Sequence, residues 1–398
     1  MAGIVLTGWL GFFLAIASLL IISHKNLGVA MFTAAIILGI FTIPESLLAV
    51  LFSSITNPST IFLAIVVGVI PLIGTTLNET GQMDNLVKNL RIGKKPFLVL
   101  SPALVGLLPM PGGALLSAPL IEKVATDISR EKKAGLNVWF RHILFIIYPI
   151  SADLIVSTAA AQMDVYQPIP YLIPIFVFSL FLGYFFFLRE SSSEVNYRGK
   201  FSSKGLILPL SALLIAPFLD VLLKTFFVLP IGEIGILIGV VASLIVAVVI
   251  GKSWTGKFSA IVWKAKPWGF AFMMFGIMAF LDVFKYSGML QLIKEINITV
   301  EALFMIAFLL GFGTGRIITP AGIIMPIFLT KFGPITPVTF ALLYFSIILG
   351  YIITPVHPCV SLSIESFKTN FKDYLRATGP PTIVGFAMSF FILCAILL

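Results

Sequence analysis

Charged side chains are scarce in this sequence. Only 11% of its 398 residues are Asp, Glu, Lys or Arg, and 59% are hydrophobic, whereas soluble domains carry about 25% charged residues. This composition excludes an ordinary soluble domain, and the many apolar runs of about 20 residues predict helices that cross a lipid bilayer. The net charge of +9 does not indicate nucleic acid binding, because the basic residues lie in short loops between apolar runs.

Cysteine is also rare. Cys359 and Cys394 are the only two, and both lie in apolar segments, so neither a disulfide framework nor a metal cluster is expected. The sequence contains no Walker-type loop, no HExxH motif and no GxSG or GxGD protease signature. These absences disfavour a primary pump and an intramembrane enzyme, and no cofactor is predicted.

The fold class predicted from the apolar runs is an all-α polytopic membrane protein. A polar stretch, 189–205, divides the chain almost in half. We therefore expect a first repeat over 1–190, a cytoplasmic linker over 191–205 and a second repeat over 206–398. Ten spans are predicted, at 4–23, 27–43, 59–77, 138–163, 171–188, 206–223, 231–250, 267–283, 335–364 and 380–398. Two further apolar runs, 96–121 and 301–330, contain central Pro and Gly residues and are predicted to be re-entrant hairpins.

The two halves resemble each other in sequence. GQMDNLVKNLRI (81–92) and SGMLQLIKEINI (287–298) align at an offset of 206, and the same offset pairs Pro149 with Pro355. PGG (111–113) and PAG (320–322) match at an offset of 209. Because the matching segments occur in the same order and at nearly the same offset, they predict an internal duplication.

Charge predicts the orientation of the repeats. Five spans in each half is an odd number, so the second repeat is expected to be inverted relative to the first. With the amino and carboxyl termini outside, 21 of the 26 basic residues fall on the inside, as the positive-inside rule requires. The other five are Lys224, Lys285, Lys294, Arg316 and Lys331.

Pro and Gly interrupt the apolar segments at four corresponding places, 109–113, 149–151, 314–322 and 354–358. Pro and Gly also kink ordinary membrane helices, so one interruption alone would not indicate a site. Four interruptions in paired positions favour the construction of secondary transporters, in which discontinuous helices surround a midplane site. At such a site the amino termini of the half-helices offer free N–H groups to an anion. The unpaired backbone carbonyls at the carboxyl ends of the half-helices can bind Na⁺.

Polar residues near these breaks are the candidate site residues. Asp153 is interpreted as an ion-coupling acid that takes a proton or joins a Na⁺ shell, with a helix-end partner as the structural alternative. Arg316 is interpreted either as a clamp for a substrate carboxylate or as a residue reaching the outer surface. The predicted ion-coupling set is Ser151, Asp153, Thr354 and His357. The predicted substrate-binding set is Pro111, Gly112, Gly113, Ser117, Arg316, Thr319, Pro320 and Gly322.

The combination of LPMPGGALLSAP and ITPAGIIMP with YPISAD and TPVHPC resembles the DUF401 family of prokaryotic integral membrane proteins. That resemblance implies membership of the ion transporter superfamily, which includes carriers for gluconate, citrate, dicarboxylates and arsenite and some sodium–proton antiporters. It further implies a multi-pass protein of the inner membrane, an elevator-type movement and a homodimer. The Ser-Asn-Thr hairpin signature of the dicarboxylate carriers is absent from this chain.

Together these features predict a secondary transporter of a small organic anion, a carboxylate, coupled to H⁺ or Na⁺. The alternatives are a sodium–proton antiporter, for which Asp153 alone would suffice, and an intramembrane enzyme using Ser151, Asp153 and His357.

Overall fold

The structure, a computed structural model, describes residues 2–23, 25–107, 113–191, 201–254 and 256–397, and these contain no β-strand. Within its described residues, the first half of the chain forms ten α-helices. They are α1 (Ala2–Ser23), α2 (Leu27–Thr42), α3 (Leu47–Thr56), α4 (Pro58–Glu79), α5 (Gln82–Lys88), α6 (Lys94–Gly106), α7 (Gly113–Val124), α8 (Arg130–Ile143), α9 (Ala152–Ala160) and α10 (Ile169–Gly183). A 3₁₀ turn (Leu144–Ile146) extends α8, and a π-helical turn (Tyr184–Leu188) extends α10.

The second half also forms ten α-helices among the described residues. They are α11 (Ser203–Phe226), α12 (Glu233–Gly251), α13 (Lys257–Ala265), α14 (Pro267–Tyr286), α15 (Met289–Glu295), α16 (Val300–Thr314), α17 (Ile318–Phe332), α18 (Pro337–Ile353), α19 (Pro358–Ser366) and α20 (Phe371–Leu397).

Each helix of the first half has a counterpart in the second half at the same place in the order. For example, α5 begins at residue 82 and α15 at residue 289, a difference of 207, while α9 and α19 begin at 152 and 358, a difference of 206. Both predicted hairpins are helix–break–helix units, α6–α7 and α16–α17, and both predicted broken spans are divided, α8–α9 and α18–α19. The sequence prediction missed α3 and α13, which are too short to register as spans.

Contacts between the halves occur in exchanged pairs. Helix α2 packs on α14, and its counterpart α12 packs on α4, the counterpart of α14. In the same way α9 packs on α17 while α19 packs on α7, and α8 packs on α20 while α18 packs on α10. Exchanged pairs of this kind are the pattern that an approximate twofold relation between the halves would produce.

The packing divides the molecule into two helical groups. Helices α1–α5 and α11–α15 pack mainly on one another, and we call this group the wall. Helices α6–α10 and α16–α20, which include both hairpins and both broken spans, form the second group, which we call the inner bundle. The two groups meet where α14 and α15 of the wall contact α9 and α17 of the inner bundle.

The helices present apolar surface outward, as a bilayer requires. In the part of the chain that the structure describes, eight helical segments are long and apolar enough to cross a membrane. Large apolar side chains such as Leu6, Phe218 and Phe391 are 72%, 64% and 69% exposed. Of the ten predicted spans, the remaining two are the 16-residue α2 and the broken α8–α9. The predicted fold class is therefore confirmed as an all-helical, multi-pass membrane protein.

Polar contacts between distant segments agree with the predicted sidedness. Lys264 Nζ lies 2.7 Å from Glu79 Oε1, and both residues are predicted to face the inside. Lys224 Nζ lies 3.1 Å from Asp164 Oδ2, and both are predicted to face the outside. Each contact thus joins residues that the charge pattern assigns to the same membrane face.

Glycine permits close helix approach within the inner bundle. A Cβ at Gly350 of α18 would lie 2.1 Å from the carbonyl oxygen of Phe308 in α16, and a Cβ at Gly106 of α6 would lie 1.8 Å from that of Arg141 in α8. Side chains at these positions would overlap backbone. The two hairpins are therefore seated against the broken spans by the same small-residue packing that membrane helices commonly use.

Candidate functional site

A cavity of about 450 Å³ lies where the wall meets the inner bundle. The inner bundle contributes the second hairpin tip, the start of α9 and the segment around the second break, while the wall contributes apolar side chains from α2 and α14. The lining residues are Leu27, Ala152, Asp153, Phe270, Met273, Thr314, Gly315, Arg316, Ile317, Ile318, Tyr351, Val356 and Pro358. The cavity is thus polar on one side and apolar on the other.

The first break places Asp153 at this cavity. Ser151 is the N-cap of α9 in an extended conformation, and its Oγ accepts a hydrogen bond from the Leu154 amide at 3.1 Å. This cap leaves Asp153, which is half-buried, in the first turn of α9. The exposed amides and positive dipole end of a first turn stabilise negative charge. The break therefore supports a carboxylate within one of the predicted spans.

The second hairpin tip presents Arg316 to the same cavity. Helix α16 ends at Gly315 with a left-handed φ of 58°, where a Cβ would lie 3.0 Å from the backbone of Val356. The Arg316 amide donates to Thr314 Oγ1 at 3.3 Å, which fixes the turn. Arg316 is half-buried and acts electrostatically on Asp153 without forming a direct ion pair with it. The cavity is therefore lined by one acidic side chain, Asp153, and one basic side chain, Arg316, and both can contact a ligand.

The second break contributes Val356 and Pro358 to the cavity lining, whereas His357 between them is buried. Thr354 ends α18, and its Oγ1 accepts a hydrogen bond from the Val356 amide at 3.3 Å. His357 begins α19 and is only 1% exposed. Its ring stacks on Tyr351 with centroids 3.8 Å apart and lies 4.8 Å from the ring of His142. His357 therefore belongs to a buried cluster next to the cavity rather than to its lining.

The other predicted substrate residues surround the hairpins without lining the cavity. Ser117 of α7 is fully buried, and its Oγ lies 2.6 Å from Asn137 Oδ1 of α8. Thr319, Pro320 and Gly322 are buried in the first turns of α17, and Thr319 Oγ1 has no hydrogen-bond partner. Gly113 begins α7, whereas Pro111 and Gly112 lie outside the described residues.

Three residues near the site were not found from the sequence: Tyr351, His142 and Cys359. Tyr351 lines the cavity, and an aromatic residue within an apolar span gives no signal of its own. His142 is an ionisable residue within a membrane segment, and that signal would have been sufficient to select it. Cys359 belongs to the His142–His357 cluster only through folding.

These features define a multi-pass membrane protein whose discontinuous helices meet at a polar cavity. The chain belongs to the DUF401 family, a protein family of unknown function, whose model matches residues 6–396. The predicted family resemblance is therefore confirmed over nearly the whole chain. Among curated proteins, no significant sequence match was found.

The fold is similar to that of the YdaH transporter of Alcanivorax borkumensis, whose crystal structure shows an unusual topology. The two structures superpose with a TM-score of 0.61 and 14% sequence identity, over 88% of this chain and 87% of that chain. At this identity the similarity concerns the architecture, and the chemistry of the site has to be argued from its own residues.

Proposed function

We propose that the protein is a secondary active transporter of a small organic anion that carries a carboxylate. The observation that supports this proposal is the position of Asp153 and Arg316 in one cavity between the wall and the inner bundle. Charged residues at membrane depth are costly and usually mark a transport pathway. The fold similarity to the YdaH transporter supports the same class of function.

Arg316 is the proposed anchor for the substrate. A guanidinium offers two parallel N–H donors to a carboxylate, which fixes the orientation as well as the charge of the ligand. The amino-terminal turn of α17 begins at Ile318, next to Arg316, and its free amides add positive potential. The apolar wall residues Phe270 and Met273 face the opposite side of the cavity. We therefore expect an anion with a compact apolar body.

Asp153 is the proposed coupling group. Its carboxylate lies in the electrostatic field of Arg316, and a substrate carboxylate would compete for that positive charge. Uptake of H⁺ by Asp153, or of Na⁺ beside it, would remove the repulsion between the two carboxylates. Ion and anion therefore bind together more favourably than either binds alone, which is the condition for coupled transport.

Division into a wall and an inner bundle supports an elevator-type movement. The cavity is lined on one side by Leu27 and Phe270, which lie near the predicted cytoplasmic ends of α2 and α14. Sliding of the inner bundle along this apolar surface would carry the site toward the outer face. In that scheme the described conformation is the inward-facing one.

Current from proteoliposomes on a solid-supported membrane tests the proposal. Small organic and inorganic anions are applied in turn, with Na⁺ present or replaced, at two pH values. A saturable current for one class of anion that requires Na⁺ or acid would support coupled transport. No response to any anion, together with no ion movement, in protein that retains its fold would contradict it.

A sodium–proton antiporter is the second candidate function. The observation that favours it is that Asp153 reaches the cavity on its own, without a direct ion pair to Arg316. A single acid that alternately binds H⁺ and Na⁺ would then perform the exchange. Three results together would favour this function: Na⁺ alone drives proton movement, no anion produces a current, and Arg316→Gln leaves the rates unchanged.

A further inference from the structure

Three potential metal ligands meet behind the cavity. His142 lies in α8, His357 at the second break and Cys359 in the first turn of α19. Each side chain offers one ligand atom, and these atoms all lie within 4.8 Å of one another. Two imidazole nitrogens and one sulfur are a donor set preferred by Zn²⁺ and related ions. Since the ligands come from both halves of the chain, only the folded protein brings them together.

His357 has unused binding capacity. Its side chain is 1% exposed, and neither Nδ1 nor Nε2 has a hydrogen-bond partner. Burial of an unpaired polar group costs free energy, so such groups usually have a partner in the functional state. A bound metal ion would supply that partner. The contacts that His357 does make are the ring stack on Tyr351, a polar contact with the Tyr351 backbone and an edge contact with the His142 ring.

His142 is held by a hydrogen bond from one of its ring nitrogens to a backbone carbonyl. Its Nδ1 lies 2.7 Å from the carbonyl oxygen of Val138, and because a carbonyl only accepts, Nδ1 carries the proton. In the neutral ring the lone pair is therefore on Nε2. A second hydrogen bond from the opposite ring nitrogen to a backbone carbonyl is the usual way in which proteins orient ligating histidines.

We propose that His142, His357 and Cys359 bind one transition-metal ion of the Zn²⁺ class, with a fourth position open to water. Binding transfers the Cys359 thiol proton to solvent, since the thiolate is the metal ligand. That negative charge also offsets Arg141, whose guanidinium acts electrostatically on His357. This site is separate from the proposed anion site and does not depend on transport.

The geometry requires a modest closure of the ligands. Ligand atoms on a tetrahedral Zn²⁺ ion lie about 3.5 Å apart, so the present cluster has to contract by roughly 1 Å. The His357 ring has a polar contact with the Tyr351 backbone but no hydrogen bond of good geometry, so a small rotation of the ring breaks none. Tyr351 lies between this ring and the cavity, and the ion would enter past its side chain.

Co²⁺ loading of the purified, detergent-solubilised protein tests the site. Thiolate coordination to Co²⁺ gives a ligand-to-metal charge-transfer band, and Zn²⁺ should displace the ion at one equivalent per chain. The chain supplies a matched control, because Cys394 is its only other cysteine. We expect Cys394→Ser to keep the band, and Cys359→Ser to lose it and to bind Zn²⁺ at least about 10-fold more weakly.

A second measurement avoids any dependence on the folding of the Cys359→Ser variant. In Cys394→Ser, Cys359 is the sole thiol, and Zn²⁺ should slow its alkylation while Mg²⁺ should not. Protection that disappears in His357→Ala and persists in His24→Ala would support the ligand set. Absence of the charge-transfer band in wild-type protein, or equal alkylation with and without Zn²⁺, would overturn the proposal.

Discussion

The two helix breaks occupy equivalent positions in the repeat but carry different chemistry. The first break, before α9, presents Asp153 to the cavity. An offset of 206 places Cys359 at the corresponding position of the second break, where it lies beside His142 and His357. The duplicated backbone therefore provides two sites for polar groups, and the side chains differ between them. At the first site the side chain lines the cavity, whereas at the second Cys359 is half-buried and lies next to the buried His142 and His357.

Removal of the acid from the first break should have the largest effect. We expect Asp153→Asn to abolish coupled uptake while the protein still folds, because amide and carboxylate have the same shape but the amide binds no coupling proton. Counterflow and solid-supported-membrane currents measure the loss. In metal-free buffer the equivalent substitution in the second break, Cys359→Ser, should retain uptake. Unchanged coupled uptake in Asp153→Asn would remove the proposed coupling role.

Arg316→Lys should weaken anion binding by about 10-fold or more, because a point charge replaces a two-pronged donor worth about 1.5–3 kcal/mol. The apparent affinity from concentration-dependent currents reports this change. Lys331→Gln is the matched control, since Lys331 lies at the end of α17 and its Nζ donates to the Lys294 carbonyl at 2.5 Å. Unchanged affinity in Arg316→Lys would show that a positive charge alone suffices, and an equal loss in both variants would show that the effect is not specific to the cavity.

The two hairpins should differ in their tolerance of a methyl group. A Cβ at Gly106 would overlap the Arg141 carbonyl, whereas a Cβ at Gly313, near the corresponding position of α16, meets nothing within 4 Å. We therefore expect Gly106→Ala to destabilise the protein by about 1–3 kcal/mol and Gly313→Ala to be neutral or stabilising. Thermal unfolding in detergent distinguishes the two, and similar melting temperatures would contradict the packing described for α6 and α8.

The smallest expected effect concerns a hydrogen-bond network that links the first hairpin to the second break. Asn137 of α8 donates to Ser363 Oγ of α19 at 3.0 Å and to the Ala114 carbonyl of α7 at 3.2 Å. Asn137→Ala should cost about 1–2 kcal/mol. The exposed Asn297→Ala is the control for thermal unfolding. A loss confined to transport, with stability unchanged, would show that the network positions the breaks rather than holding them together.

Much of the architecture could be predicted from the sequence because each membrane-spanning helix requires an apolar run of about 20 residues, which is visible along the chain. Apolar length located the spans, and repeated Pro and Gly located the hairpins and both breaks. The short helices α3 and α13 were missed because length is the only signal that such a search uses. Their position before α4 and α14 in the two halves became visible only in the structure.

The lining of the cavity could be predicted in part, whereas the roles of its residues remain predictions. Asp153 and Arg316 were found because a charged residue in an apolar segment is conspicuous, and both line the cavity. Tyr351 and Cys359 gave no such signal, since their surroundings arise from packing between helices that are distant in sequence. The assignment of Ser117 to the substrate remains a prediction, and its hydrogen bond to Asn137 gives it a structural role as well.

The exchange of contacts between the halves has a consequence for synthesis of the chain. Helix α2 packs on α14, and α4 packs on α12, so neither partner exists in the bilayer until more than half of the polypeptide has been inserted. During that interval the small-residue faces of the first half, with Gly28 and Gly68 opposite their absent neighbours in α14, are in contact with lipid. The newly made amino-terminal half is therefore a membrane-inserted intermediate that completes its tertiary structure only after translation has passed the linker.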